Sequence, residues 1–338
     1  MASSSTSANS RLGKDICAPL AQQKINLTFL THIAGRLDRD SSTVFCTELE
    51  AGASSHSLVQ TFHDRRSLSR LFSDTCIISL YPHDQHPDIT GLFLRCVAQA
   101  RVVLRGLASS PSAVSGVISS GGRNRAIQQL FKQFQFPTYR SPTEFFAAQL
   151  PPQELVRAVV ATYQEKVIKI YCLVQEIDID LWELTLPSSP ALEEFGRALV
   201  TMGKRGFRLP FLVALPVLDR PELRCSFGLC ADLPAGDRVA AIEQVIQSHL
   251  PGLSAYRQSP VAAIFVHGPH FGDRYGIGDT VVEALERAEV TLLALSCTVS
   301  SISVIIKQQD LAPAVQILEK TFEVPRCQPV QCRSRDNQ

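Results

Sequence analysis

The chain has 338 residues, 45% of them hydrophobic, with 33 Lys and Arg against 32 Asp and Glu. That length can bury more than one core, and a net charge of +1 without a basic stripe argues against nucleic acid as a partner. No apolar run is long enough to span a bilayer, and the first residues have no signal-peptide core, so the chain reads as cytoplasmic with no membrane segment.

Residues 1–11 are Ser-rich and read as a disordered leader. A first unit, 12–73, opens with a helix over Gly13–Gln23, followed by a strand Ile25–Leu30, a strand Thr43–Thr47 and a helix from Ser54 to Phe62. No strand precedes its first helix, so this unit either lacks one or borrows it. The second unit, 74–136, is fuller. It runs as strand Thr75–Leu80, a loop from Tyr81 to Pro87, a helix from Asp88 to Gln99, strand Val102–Leu107, turn Ser109–Ser112, strand Ala113–Ile118 and helix Arg123–Phe134.

Residues 137–165 read as a helical linker, with helices over Thr143–Ala147 and Pro151–Gln164. The third unit, 166–252, is the most altered. Strands are expected over Val167–Tyr171 and Ile177–Leu186, joined by a hairpin through Gln175–Glu176. Then come helix Ala191–Gly203, strands Leu209–Val217 and Leu223–Cys230, and helix Asp237–His249. The lone Trp182 lies in an apolar strand and reads as core.

The last unit, 258–325, is the clearest, with residues 326–338 left as a tail. A β-branched strand, Val261–Val266, stops at Gly268-Pro269 and leads through a polar loop to a helix over Asp279–Ala288. Strand Val290–Leu295, a Ser-rich turn, the alternating strand from Ile302 and a helix capped by Asp310 complete it. The order β-α-β-β-α recurs along the chain.

These residues resemble the ACT domain, a small ferredoxin-like regulatory module, in the form found at the C-terminal end of aspartokinases. The resemblance rests on Gly268, on Gly276-Ile277 before the helix, on Val290-Thr291-Leu292 with Leu295-Ser296, and on Ser301–Ile306. It implies an α+β fold of four tandem ferredoxin-like units. The effector pocket it implies would join the loop after the first strand, the start of the first helix and the end of the second strand. In the last unit these are His270, Phe271, Gly272, Asp273, Gly276, Ile277, Gly278, Ser296, Cys297, Thr298 and Ser300. In the second unit the matching positions are His83, Asp84, Asp88 and Ile89, with Asp88 where the last unit has Gly276.

The chemistry suits a zwitterion. A carboxylate such as Asp273 can hold an ammonium while backbone N–H groups at a helix start hold a carboxylate. The ordinary alternatives are that His83, Asp84 and His86 are solvated or capping residues, and that Ser296, Thr298 and Ser300 simply form a turn. The ten cysteines, among them Cys46, Cys76, Cys96, Cys172 and Cys297, sit in apolar settings and read as reduced core thiols. Cys225 with Cys230, and Cys327 with Cys332, lack the second ligand pair that zinc needs, so neither metal nor cofactor is expected.

Phosphate-cradling and nucleophile motifs are absent from the sequence, and with them the aspartokinase catalytic half. The reading is therefore a non-catalytic regulatory protein that binds an amino acid or a similar zwitterion. The kinase-free layout is also similar to that of the cytosolic arginine sensors of animals. The alternative is an ACT-based scaffold that pairs with itself or a partner enzyme without a small ligand. A homodimer is expected, and the resemblance implies an amino-acid biosynthetic enzyme as a partner.

Overall fold

The computed structural model describes residues 12–35, 41–47, 70–148, 170–268, 275–298 and 301–323. Its strands are β1 (Leu27–Ile33), β2 (Ser42–Thr47), β3 (Thr75–Leu80), β4 (Leu104–Ser109), β5 (Val114–Ser119), β6 (Cys172–Leu186), β7 (Arg208–Pro216), β8 (Leu223–Cys230), β9 (Tyr256–His267), β10 (Leu292–Cys297) and β11 (Ser301–Lys307). A π-helical turn, Gly13–Cys17, runs into α1 (Ala18–Gln22). The other helices are α2 (Pro87–Gln99), α3 (Arg123–Gln133), α4 (Pro142–Ala148), α5 (Ser189–Lys204), α6 (Ala235–His249), α7 (Ile277–Arg287) and α8 (Leu311–Thr321). The leader, the helix expected over Ser54–Phe62, the one over Pro151–Gln164 and the C-terminal tail lie outside the described residues.

The strands form one 11-stranded sheet in the order β2-β1-β10-β11-β9-β6-β8-β7-β4-β5-β3. Alternation along each strand divides its side chains between two faces. On β6, Trp182, Leu184 and Leu186 join the helices α2, α5 and α6, whereas Ile179 and Leu181 meet Phe211 and Val213 of β7 and Phe265 of β9. On the other half, Leu30, Ile302 and Val304 pack under α7 and α8. Because Ile33 and Ala294 share a core with Phe211 and Leu215, the sheet folds over on itself, with helices covering both outer faces. Each fully buried Leu, Ile or Phe in these layers contributes about 1.5–3 kcal/mol relative to exposure.

The two longest strands, β6 and β9, hold the halves together. Cys172–Glu176 of β6 pairs with Ala263–His267 of β9, while Asp180–Leu186 pairs with β8. The hairpin expected through Gln175–Glu176 is therefore one continuous strand. Polar residues there do not turn the chain, because β9 takes up their backbone groups; a register shift between Glu176 and Ile179, with Asp178 at φ 57, absorbs the bend instead. Buried Asp180 sits at this bend, bonded to Arg238 and, at 2.8 Å, to Arg257 Nη2. Burial would raise this carboxyl, but hydrogen bonds from Ser259, Arg238 and Arg257 outweigh it and hold the group below its ordinary value.

Four helix ends share one hydrogen-bonded design. Lys24, Arg101, Gly206 and Glu289 follow α1, α2, α5 and α7 in the left-handed conformation, at φ 55, 52, 81 and 56. In each case the next residue donates five positions back: Ile25 to Leu20, Val102 to Val97, Phe207 to Met202 and Val290 to Leu285. This bond satisfies a carbonyl that the helix end leaves open. It also moves β4 and β10 to start at Leu104 and Leu292, two residues later than Val102 and Val290, where apolarity alone places them. Two expected caps differ as well. Pro87 starts α2 behind His86, so Asp88 lies inside the helix. Asp310 stands at the N-cap of α8, after a 3-10 turn, but makes no side-chain capping bond.

Candidate functional site

Helix α7 begins at a glycine for a backbone reason. Gly276 is its N-cap residue at φ 83, in the region that side chains disfavour, and its carbonyl accepts both N–H and Oγ1 of Thr280 at 2.9 Å. A small cavity of about 10 Å³ opens beside it, lined by Cys17, Leu20, Ala21, Gly276–Asp279 and Cys297. That is room for about one water. The floor is tight, since a Cβ on Gly278 would lie 3.2 Å from Leu30 Cδ2.

Asp279, in the first turn, is the charged group in this lining. Burial raises its carboxyl above the ordinary carboxylate value, and Glu283 one turn on adds to the rise. The thiols beside it are held protonated: burial raises Cys17, and lifts Cys297 to about 12. Neither is an activated nucleophile.

The strand-end residues divide between two faces. Cys297 lines the cavity, whereas the buried Ser296 hydroxyl donates to Ser109 O of β4 at 3.0 Å, across the inner layer. Thr298 turns back on Ser301 through N–H to O at 2.9 Å. Of the expected loop, His270, Phe271, Gly272 and Asp273 lie outside the described residues, as does Ser300. Ile277, the first residue of α7, lines the cavity and packs into the core under that helix.

The second unit's loop has a different character. His83 is fully buried, its Nε2 donating to Ser110 O and its own N–H donating to Ser112 O at 3.0 Å. The ordinary alternative of a solvated side chain does not hold for this candidate pocket residue, which anchors a turn. Burial lowers its pKa, which favours the neutral ring, despite the bond that Nε2 donates to Ser110 O. Asp84 and the next residue, Gln85, take φ 45 and 61, and Gln85 reaches Glu176 at 3.1 Å and Arg208 at 2.9 Å. Asp88 is partly exposed, 3.9 Å from His86, and Ile89 packs against the helical core. The Ser109–Ser112 segment thus receives His83 from the loop before α2 and Ser296 from the end of β10.

Reasoning from sequence missed Asp279 and the contribution of Cys17, Leu20 and Ala21. Asp279 was visible as an acid in a helix's first turn; nothing in the pattern of the first segment signalled that it packs on α7. Among the described residues, no group of three or more His, Cys, Asp or Glu comes together to hold a metal. No helix among them is long and apolar enough to cross a membrane.

This arrangement, a strand ending before a glycine-capped helix and two further strands, is what the comparison with known families recognises. Residues 257–320 match the ACT domain. Around this ACT segment the fold is similar to that of aspartate kinase from Synechocystis, with a TM-score of 0.68 at 14% identity, covering 94% of this chain and 53% of that one. The chain therefore spans about half the length of that enzyme. The regulatory subunits of aspartate kinase from Thermus thermophilus (17% identity, TM-score 0.39) and Thermus flavus (18%, 0.38) each align over 47% of this chain and 100% of their own. No curated protein sequence matches the chain.

Proposed function

We propose that the chain is a non-catalytic regulatory protein that binds an amino acid or a similar small zwitterion through its ACT segment. The observation that carries this reading is the start of α7. Gly276 leaves the backbone bare at a helix N-terminus, which favours a carboxylate, and a partly buried Asp279 has a carboxyl that a ligand's ammonium would return toward its ordinary value. Asp273, earlier in the same loop, is the other carboxylate within sequence reach. A cavity with room for about one water does not admit an amino acid, so entry requires the turn at Cys17–Ala21 to shift from α7.

The four left-handed helix exits support reading the whole chain as four ACT-like units, of which 257–320 is the most regular. The small cavity is also the observation that favours the scaffold alternative, in which the units only pair. A thermal-shift screen of the twenty amino acids separates the two readings. A ligand at a hundred times its dissociation constant adds about 2.7 kcal/mol of stability. Asp273→Ala and Gly276→Val should each abolish that shift. A screen in which no amino acid raises the melting temperature would leave the scaffold as the function.

A further inference from the structure

The cavity beside α7 has walls of two kinds, and they come from distant parts of the chain. One wall is the start of α7 itself, with bare backbone at Gly276 and Gly278 and the carboxyl of Asp279. Groups of this kind address the ammonium and carboxylate that every α-amino acid has in common, so they do not tell one amino acid from another. The other wall is the stretch from the π-helical turn to the start of β1. It contributes Leu20, Ala21, Ile25 and Leu27 and the thiol of Cys17.

The two walls meet at the glycines of α7. A Cβ on Gly276 would lie 3.7 Å from Cβ of Ala21, and one on Gly278 would lie 3.9 Å from both Cys17 Sγ and Leu27 Cδ1. Cys17 and Leu20 are buried, whereas Ala21, Ile25 and Leu27 are half-buried. The backbone N–H of Ile25 donates to Leu20 O at 2.9 Å, a bond that survives a change of its side chain. A charged or amide side chain laid on this wall would exchange water for hydrocarbon and for a thiol that burial keeps protonated, a cost that an apolar side chain does not meet.

We propose that the ligand of this site is an α-amino acid with an apolar side chain, of the kind of leucine or methionine, and that Leu20, Ile25 and Leu27 select it. This inference rests on reading the start of α7 as a zwitterion site. It adds that selection lies outside the ACT segment 257–320, in the stretch from Cys17 to Leu27.

Dissociation constants of the full chain for the twenty amino acids, measured by titration calorimetry, test it. Leucine and methionine should bind on the order of tenfold tighter than alanine or more, from the extra apolar area that they bury, and charged and amide side chains no tighter than alanine. Ile25→Ser should weaken leucine roughly tenfold and alanine by at most about twofold, whereas a merely structural residue would weaken both alike. Leu27→Ser should act in the same direction. Tightest binding of a charged or amide side chain would overturn the inference and leave the zwitterion site standing. So would two variants that keep the parent's preference for leucine over alanine. If no amino acid binds, the reading of the site falls, and this inference with it.

Discussion

The starts of α2 and α7 occupy the same place in their repeats and have opposite characters. The loop before α2 is filled: His83 is buried in it, Gln85 ties it to Glu176 and Arg208, and α2 itself is pressed on α5 so closely that a Cβ on Gly91 would lie 2.4 Å from Gly196 O. The start of α7 has a bare glycine, a small cavity and, among the described lining residues, one carboxylate and no cation. One position is a structural joint with α5, and the other is where the proposed ligand would bind. Duplicated elements diverge in this way when one copy's polar loop is recruited into packing.

Substitutions can break this contrast, and the largest effect is expected at the joint. Gly91→Val should cost about 3 kcal/mol in denaturant unfolding, because the approaching atom is backbone and cannot rotate away. An effect near zero would mean that α2 and α5 are not in contact in solution.

His83→Ala should cost about 2 kcal/mol, through the lost bond to Ser110 and the void left behind. Its pKa is lowered in the fold, so the stability it gives is complete above the ordinary value of 6.5 and is lost as the pH falls below that. The variant should flatten part of that acid slope. His32, held at about 3 by burial and by Arg224, keeps the rest. A variant as pH-sensitive as the parent would show His83 to be exposed.

At α7, Gly276→Val should cost about 1–2 kcal/mol. Among the described residues a Cβ there meets only Ala21, at 3.7 Å, so the loss is one of backbone conformation, and Gly276→Asn should recover part of it. Ser296→Ala, which removes the bond to Ser109 across the inner layer, should cost about 1 kcal/mol. The smallest change is expected from Asp279→Asn. A raised carboxyl favours the fold below the unfolded value of 3.8 and loses that contribution as the pH rises through its folded value, so the variant should be slightly more stable than the parent at neutral pH. Melting curves across pH read both the sign and the window.

Much of the element order was legible in the sequence because apolar periodicity reports which face is covered. β3, β8 and α8 lie within about a residue of where pattern reading places them. What escaped was set by partners distant in sequence. The start of β6, Cys172–Glu176, reads as a connection between strands until β9 is beside it. Of the strand expected over Val167–Tyr171, residues 167–169 lie outside the described residues, and Ile170 and Tyr171 precede β6. Arg101 and Glu289 give no hint of a left-handed turn that glycine alone would announce. His83, read as a candidate pocket residue with solvation as the alternative, gave no sign of its burial because its acceptor, Ser110, comes from another strand connection. Gly276 was recognisable, since a glycine before an apolar helix has few other uses. Asp279's loss of water was not, because the Cys17–Ala21 turn that covers it is contributed from the other end of the chain.

The pairing of β1 with β10 sets a timetable for synthesis. Leu30 pairs in register with Cys297, which is synthesised long after it. Until β10 leaves the ribosome, the β1–β2 hairpin has neither its neighbouring strand nor the α7 cover over Leu30, and so presents an open edge beside an apolar face. The segment between them can assemble first, since β6 through β9 close on one another within a contiguous stretch. That stretch has its partners close in sequence and can form as it is translated. The β1–β2 half waits for its last strands, which makes the nascent hairpin the stage at which chaperones have the most to protect.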